Sequence, residues 1–493
     1  MPARARDALN ERNPRQSFVD DVRRIVPLAW PVFVGQLAVL GFATIDTVLI
    51  ARHDAQDLAA LAVGMAAYVT TFVGPMGVVL AVGPIAGRLF GAGQLREAGA
   101  QMRQALLLSI ALAAAFALLL VFPQPFLTLA RAEPAVAAKV REYLLAIAFA
   151  LPPALMFTAF RGFNTAISRP RAVMVLQLTG LALKIPASAL LIGGFSLGAW
   201  QMPALGVAGC GVATAIVMWC QWLAALAWMR ASPSLYAAFG LSGRLLARPD
   251  GAALRALLRL GVPMGLAIGI EITGFTLVAL FISRLGATPV AGHQIAVNLV
   301  SIMFMMPLAL GNATCTLVAQ RLGAGDTRDA RRLSWHGVEF GLAVATTMGA
   351  AAWLAREPLL HAYTDKADIV SAALPLLAWV MLFHIADAGQ TLAAFVLRAY
   401  HLTVAPMWIY AAALWGVGLG AGYVLAFDTT GLTPPALRGA PGYWAALTAG
   451  VTLAAIALVA LLGWVLAARR REERRERRSL LGAQSSPGSS QAD

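Results

Sequence analysis

The chain has 493 residues, of which 59% are hydrophobic and only 13% are charged, and its mean hydropathy is +0.72. Soluble proteins carry about a quarter charged residues, so this composition excludes an ordinary soluble protein. A net charge of +14 would suit nucleic-acid binding in a soluble chain, and its meaning here depends on where the basic residues lie.

Twelve apolar runs dominate the sequence, and most of them reach the ~20 residues that a helix needs to cross the hydrocarbon of a bilayer. They do not alternate in polarity as the strands of a membrane barrel do. The sequence therefore predicts an all-α polytopic membrane protein whose twelve transmembrane helices lie near 25–50, 60–86, 102–123, 140–160, 171–195, 205–230, 257–283, 288–318, 334–355, 368–397, 405–427 and 441–467.

The basic residues predict the orientation of these helices. Of the 38 Lys and Arg residues, 29 lie in the two tails and in alternate loops. Because basic residues stay on the cytoplasmic side, both termini are expected in the cytoplasm. The basic stretch 469–478 directly follows the last apolar run, which favours an anchor near anionic lipid over a nucleic-acid site. We expect a multi-pass protein of the bacterial inner (plasma) membrane.

The sequence repeats itself at an offset of 232 residues. Pro31 recurs as Pro263 and Phe72 as Phe304, and the loop GRLFGAGQLREA at 87–98 answers AQRLGAGDTRDA at 319–330. Six spans per half give both halves the same orientation, so the repeat is parallel. We predict two six-helix lobes facing each other.

These features divide the chain into five segments. The predicted segments are a cytoplasmic N-terminal tail at 1–24, an N-lobe at 25–230, a cytoplasmic inter-lobe linker at 231–256, a C-lobe at 257–467, and a basic tail at 468–493 that becomes disordered after residue 479.

Three acidic residues lie deep within predicted spans: Asp46, Glu271 and Asp387. A charge at the bilayer centre costs at least ~2.5–3.5 kcal/mol, so each is a functional candidate. Glu271 and Asp387 belong to the same lobe and can converge. Two carboxylates in low dielectric either share a cation such as Na+ or hold a proton, and both behaviours suit ion-coupled transport. A fourth acid, Glu339, lies near the end of its span and is interpreted as solvated.

Lys184 is the single lysine within a span and needs a counter-ion. The acid available in the membrane region of its own half is Asp46, so the sequence predicts an N-lobe charge pair between them. In the alternative interpretation, Lys184 faces a water-filled cavity and repels or orients substrates.

Other chemistries lack their motifs. The chain has no GxxxxGK[ST] for ATP hydrolysis, no HExxH and no local signature of nucleophilic catalysis, and Cys210, Cys220 and Cys315 give neither a disulfide framework nor metal spacing. We expect no cofactor and no enzyme activity. The alternatives from another functional class are a membrane-embedded enzyme, which would need clustered His and Asp residues, and a channel.

Several long motifs together resemble the NorM branch of the multidrug and toxic compound extrusion (MATE) transporters. They are PLAWPVFVGQLAVLGFATIDTVLIAR, GPIAGRLFGAG, GVAGCGVATAIVMW, RLGVPMGLAIGIEI, VAGHQIAVNLVSIMFMMPLALG and LRAYH, and they extend from about 25 to 425. The resemblance implies two lobes around a V-shaped cavity and export of cationic drugs against inward H+ or Na+. It also implies that Asp46, Glu271 and Asp387 couple to the ion. A lipid-linked oligosaccharide flippase of the same superfamily is the nearest alternative.

Two departures from the family pattern bear on the coupling ion. Where relatives often read L-N-I-P-L-N, this chain has LKIPAS at 183–188, which includes Lys184, and Phe304 replaces a tyrosine of some relatives. Both departures favour H+ over Na+. The expected partners are small organic cations, H+ or Na+ and the lipid bilayer, with no nucleic acid, and the protein is expected to be a monomer. Candidate substrate-cavity residues are Phe304, Phe383, Gln294 and Asn298.

Overall fold

The computed structural model describes residues 14–130, 133–197, 200–243, 245 and 248–484. Within these residues, twelve helices are long and apolar enough to cross a membrane, as the apolar runs predict. They are numbered in chain order: α1 Ser17–Ala51, α2 Ala55–Gly91, α3 Leu95–Val121, α4 Pro134–Ala166, α5 Pro170–Gly193, α6 Gly206–Ala231, α7 Gly251–Leu285, α8 Ala287–Gly323, α9 Thr327–Leu354, α10 Ala367–Ala399, α11 Val404–Phe427 and α12 Ala440–Glu473.

Short elements connect these spans. Three short α-helices cover Gln124–Ala130, Pro233–Tyr236 and Arg356–Tyr363, and a further turn covers Ala237–Phe239. The link between α5 and α6 contains two antiparallel strands, β1 (Phe195–Leu197) and β2 (Trp200–Met202), with Phe195 opposite Met202. The middle of α11, Ala411–Ala421, is π-helical, and such segments are frequent at functional sites.

Several helices extend beyond the predicted runs. The first helix begins at Pro14, inside the predicted N-terminal tail, and α7 begins at Gly251, inside the predicted linker. The last helix continues to Gln484, past residue 479, where the sequence predicts the start of a disordered tail. Hydropathy marks only the part of a helix in hydrocarbon, whereas Arg and Glu propagate helix well in water. Residues 1–13 and 485–493 lie outside the described residues.

Side-chain caps fix the beginning of three spans. Asp54 accepts a hydrogen bond from the Asp57 N–H at the start of α2, and Asp250 accepts from the Ala252 N–H at the start of α7. Asp326 accepts from the Asp329 N–H at the start of α9. A cap of this kind stabilises a helix by about 1 kcal/mol because it satisfies a free donor of the first turn.

The repeat in the sequence is also a repeat in packing. In the N-lobe α4 packs against α2, α3 and α6, and in the C-lobe the corresponding α10 packs against α8, α9 and α12. The repeated loops have the same backbone shape, since Gly93 and Gly325 both adopt positive φ values of 75° and 74°. Glycine populates this conformation without a steric penalty, which explains why both copies keep it.

The two lobes meet through α1 against α8 and α2 against α7. At the ends of α2 and α8 the backbones nearly touch: a Cβ on Gly91 would overlap the Gln320 carbonyl oxygen, and a Cβ on Gly323 would overlap the Arg88 carbonyl oxygen. Residues 88 and 320 are partners in the repeat, as are 91 and 323, so this contact is symmetrical. It lies at the membrane face where α1 begins and α12 ends, which we call the terminal face.

Candidate functional site

A buried ion pair joins α1 and α5 in the N-lobe. The Lys184 Nζ lies 2.9 Å from the Asp46 Oδ1, and the side chains are 0% and 6% exposed. The same Nζ donates to the Thr214 Oγ1 at 2.6 Å and to the Cys210 carbonyl oxygen at 3.2 Å. Ser188 donates to the Asp46 Oδ1 at 3.0 Å. The three donor hydrogens of the ammonium therefore have three acceptors.

Helix spacing produces this arrangement. Lys184 and Ser188 are four residues apart on α5, so both face Asp46. Cys210 and Thr214 are likewise four residues apart on α6, which packs against α5. In a low-dielectric interior, two opposite charges with complete hydrogen bonding are tolerated, whereas one alone is strongly destabilising. The Lys184 ammonium is therefore a cation that belongs to the protein itself and that lies beside Asp46 in the interior of the N-lobe.

The C-lobe brings the other two acids together. Asp387 on α10 is buried, and its Oδ1 accepts a hydrogen bond from the Gln390 Nε2 at 2.8 Å. Glu271 on α7 is partly exposed, and Phe275, one turn after it, packs against Phe383, one turn before Asp387, so the two acids lie on neighbouring turns of α7 and α10. Arg398 and Tyr410 also act on Glu271, from α10 and α11. Two carboxylates of the C-lobe are therefore accompanied, among the described residues, by the Arg398 guanidinium.

The elements around Glu271 hold it in place. The Trp415 Nε1, in the π-helical part of α11, donates to the Ile270 carbonyl oxygen at 3.1 Å, directly before Glu271. The Arg398 guanidinium lies 4.1 Å from the centre of the Phe395 ring. This cation–π contact keeps part of the arginine on the aromatic face. Chemically, such a site can exchange a proton or a monovalent cation at the two carboxylates.

A row of polar side chains on α10 extends the C-lobe site. His384, Asp387 and Gln390 follow one another at intervals of three residues and are all buried. Both ring nitrogens of His384 and the Oε1 of Gln390 have no hydrogen-bond partner among the described residues. Buried polar atoms normally have a hydrogen-bond partner, so the unpartnered atoms of His384 and Gln390 mark the interior of the C-lobe as a candidate polar site. His384, Gln390 and Tyr410 are not among the site residues predicted from the sequence, although the three-residue spacing on α10 is visible there.

The four cavity candidates differ in their positions. Gln294 and Asn298 are exposed and lie one turn apart on α8, and Asn298 accepts a hydrogen bond from the Tyr363 hydroxyl at 2.7 Å. Phe304 is partly buried on the same helix. Phe383, in contrast, is 1% exposed and packs against the rings of Phe275 and Trp444, with centroids 5.7 and 5.8 Å away. In this conformation Phe383 belongs to the core of the C-lobe.

Charged side chains link the two lobes at the terminal face. Asp21 on α1 is fully buried and binds the Arg332 Nε at 2.9 Å and the His336 Nδ1 at 2.7 Å, both on α9. Arg24 binds Asp329 at 3.0 Å. We call this set the inter-lobe ionic cluster, and its members are Asp21, Arg24, Arg321, Asp329, Arg332 and His336.

Other polar contacts between the lobes lie on the same face. The Gln320 Nε2 donates to the Ala166 carbonyl oxygen at 2.7 Å and to the Ser168 Oγ at 2.9 Å. Arg88 on α2 lies 3.4 Å from His401 in the α10–α11 link. Together with the glycine contact, these bonds close the lobes against each other at the terminal face.

Two repeat-related helical lobes that meet at one face are an architecture that many membrane transporters share. The MatE family model matches residues 31–190 and 263–424, one match in each lobe. The chain therefore belongs to the MATE family of transporters, and it is NorM-like.

Named relatives and solved structures agree with this family. The chain is 37% identical over 92% of its length to the "Probable multidrug resistance protein NorM" of Aromatoleum aromaticum, covering 95% of that protein. It is 32% identical over 90% of its length to the protein of the same name in Neisseria meningitidis serogroup B, covering 94% of it. The Vibrio cholerae MATE transporter VcmN in its bent form superimposes with a TM-score of 0.78 at 18% identity, covering 92% of this chain and 98% of that one. The eukaryotic MATE transporter AtDTX14 superimposes with a TM-score of 0.80 at 19% identity, covering 93% and 99%.

Proposed function

We propose that this multidrug-type MATE transporter is a secondary antiporter that exports cationic or amphiphilic organic compounds in exchange for H+ or Na+. The observation that carries the proposal is the carboxylate pair of the C-lobe. Glu271 and Asp387 lie on helices with different neighbours: α7 packs against α2 of the N-lobe, whereas α10 packs mainly against α8, α9 and α12 of the C-lobe. A movement of the lobes changes their separation and hence their affinity for a cation.

The proposed orientation places the terminal face in the cytoplasm of a bacterium, across its inner membrane. It is supported by the concentration of Lys and Arg on that face. In this orientation the inter-lobe contacts close the cytoplasmic side, and the cavity opens outward. Gln294 and Asn298, exposed on α8, would line it and contact substrates, together with Phe304.

In the N-lobe, Lys184 takes the place that an exchangeable cation would occupy at Asp46. The support for this is its complete set of acceptors: Asp46, Thr214 and Cys210. Because an ammonium held by a covalent side chain cannot leave, coupling falls to Glu271 and Asp387. A site of two carboxylates with an arginine nearby carries little net negative charge, which favours H+ over Na+.

The test is accumulation of ethidium and norfloxacin in bacteria that lack their own efflux pumps. Expression of the protein should lower accumulation of both compounds, and the effect should disappear when the transmembrane pH gradient is collapsed. Purified protein in liposomes then separates the ions, with imposed pH and Na+ gradients in turn. Unchanged accumulation across a broad panel of organic cations, with insertion verified, would contradict drug export.

A further inference from the structure

A pocket of 520 Å³ opens at the terminal face of the N-lobe. Its walls come from Pro27 and Leu28 of α1, from the α4–α5 turn, and from the end of α6 and the segment after it. The residues that matter for its chemistry are Arg169, Arg171, Trp228, Ser232 and Ser234. None of them takes part in the transport site described above.

The two arginines of this pocket differ from most of their neighbours. Arg24, Arg321 and Arg332 on the same face bind carboxylates. Arg169 and Arg171 are exposed, and within the described residues their guanidinium groups bind no carboxylate, nor does a carboxylate line the pocket. Two unpaired guanidinium groups facing one concavity attract an anion, and phosphate suits their donor geometry.

Further donors surround the same space. The hydroxyls of Ser232 and Ser234 line the pocket, and α5 begins at Pro170 in its wall, where no side chain caps the first turn. The positive end of the helix adds to the field of the two arginines. Tyr236 is fixed, because its hydroxyl donates to the Asn164 Oδ1 at 2.6 Å. The wall therefore keeps its shape without a ligand.

The pocket also has an apolar side. Trp228 lines it and is 39% exposed. Tryptophan is enriched at the level of lipid headgroups, where its ring contacts both acyl chains and polar groups. Pro27 and Leu28 of α1 complete this side. A ligand that fits has an anionic phosphate at one end and apolar chains at the other.

From this combination we infer that the pocket binds the phosphate headgroup of an anionic phospholipid. Basic pockets between membrane helices on the cytoplasmic side are suited to such headgroups. The site also adjoins the lobe contact, since Ser168 lines the pocket and accepts a hydrogen bond from Gln320 of the other lobe. A lipid bound in the pocket restricts the movement of the α4–α5 turn, which contains Ser168. It thereby stabilises the conformation in which the lobes are closed at the terminal face.

The test measures lipid binding to the purified full-length protein in detergent, by native mass spectrometry and by thermal unfolding. The probes are phosphatidylglycerol, phosphatidylcholine and inorganic phosphate. The test variant is Arg169→Gln/Arg171→Gln. The matched control is Arg96→Gln/Arg328→Gln, which removes two exposed arginines from the repeated loops of the same face.

We expect phosphatidylglycerol to bind the native protein and the control more tightly than phosphatidylcholine does. The affinity for phosphatidylglycerol should fall about tenfold or more in Arg169→Gln/Arg171→Gln, since two charge contacts are lost. Inorganic phosphate at millimolar concentration should not raise the unfolding temperature of the native protein.

Two results would overturn the inference. One is a phosphatidylglycerol affinity of the test variant within about twofold of the control. The other is stabilisation by inorganic phosphate that equals that of the lipid, which would assign the pocket to a soluble anion. If the double variant fails to fold, Ser234→Glu keeps both arginines and places a negative charge in the pocket. We expect the affinity of Ser234→Glu for phosphatidylglycerol to fall about tenfold as well. An unchanged affinity would overturn the inference.

Discussion

Lys184 and Asp46 are held 2.9 Å apart by two helices of the N-lobe, and neither side chain has appreciable contact with solvent. Breaking such a pair by removing one partner costs about 3–5 kcal/mol, because the remaining charge stays buried without compensation. We therefore expect Lys184→Ala to lower the unfolding temperature strongly and to impair transport. Lys184→Ala combined with Asp46→Ala should recover part of the lost stability, as measured by thermal unfolding in detergent.

The same pair predicts a change in ion dependence. Lys184→Asn removes the built-in ammonium and leaves Asp46, Ser188 and Thr214 as oxygen ligands. Transport by this variant should respond to Na+ more strongly than transport by the native protein. The pairing would lose its support if Lys184→Ala kept the native stability together with the native dependence on pH and Na+.

The carboxylates of the C-lobe supply a second prediction. Glu271→Gln and Asp387→Asn keep the side-chain shapes and remove one charge each. Active efflux of ethidium should fall at least about tenfold in both variants, because a site with one carboxylate no longer changes its proton or cation affinity with the movement of the lobes. Glu339→Gln is the matched control, since Glu339 is an exposed acid of α9. If both test variants kept full efflux at equal expression, Glu271 and Asp387 would not be coupling residues.

Asp21 should control how often the terminal face opens. Asp21→Asn leaves Arg332 and His336 with a weaker partner in a buried position. Loss of a charged hydrogen bond of about 1.5–3 kcal/mol should raise the open population about tenfold or more. Alkylation of Ala319→Cys, in a background without the three native cysteines, reports this opening because Ala319 is fully buried near the lobe contact. The exposed acid Glu97 provides the control Glu97→Gln, for which we expect the native alkylation rate.

A substitution at Gly323 perturbs the closed terminal face by steric overlap, whereas Asp21→Asn perturbs it by removing a charge. A Cβ at this position overlaps the Arg88 carbonyl oxygen, and a backbone atom cannot rotate away. Over-packing of this kind costs about 1–3 kcal/mol, so Gly323→Ala should disfavour closure and reduce efflux about tenfold or more. In Gly193→Ala the new Cβ meets no atom within 4 Å, and efflux should be unchanged. Equal efflux by the two variants would show that this approach of the helices is not needed for transport.

The sequence predicted most of the fold because hydrophobic length and charge placement are local properties. Each of the twelve apolar runs lies inside an observed helix or within two residues of its bounds. Helix ends were predicted less well, since Arg469–Arg478 continues α12 in water, where hydropathy carries no signal. The repeat predicted two lobes, and the equivalent packing of α4 and α10 within them agrees with it, because similar sequences bury similar faces.

The candidate site could be predicted only in part. Asp46, Glu271 and Asp387 stand out because a charge in an apolar run is expensive. Tyr410 and Gln390 do not stand out, since uncharged polar residues are common in membrane helices. The burial of Phe383 depends on Phe275 and Trp444, which come from α7 and α12 and are brought together only by folding. The binding pocket of Arg169 and Arg171 likewise depends on the distant Trp228.

The last prediction concerns the loop between α11 and α12, where Asp428 lies outside the membrane. The Thr433 N–H donates to the Asp428 Oδ1 at 2.9 Å and Arg438 binds the Oδ2 at 2.8 Å, and these contacts hold the pKa of Asp428 below its usual value. A carboxylate with a lowered folded-state pKa stabilises the fold above the unfolded value of about 3.9, and this contribution is lost as the pH falls through the folded pKa.

Asp428→Asn keeps an acceptor for Thr433 and tolerates the left-handed backbone of this position, where φ is 48°, but it removes the charge that Arg438 binds. We therefore expect a small loss of stability relative to the native protein at pH 7, and we expect the difference to shrink as the pH falls below about 3.9 and to vanish once the pH is below the lowered pKa of Asp428 in the folded protein. Unfolding temperatures of both proteins between pH 7 and pH 2.5 measure this convergence. Asp365→Asn, at an exposed acid of another loop, should show no comparable gap at pH 7. A gap for Asp428→Asn that stayed constant over the whole range would mean that the loop is stabilised by the shape of the side chain and not by its charge.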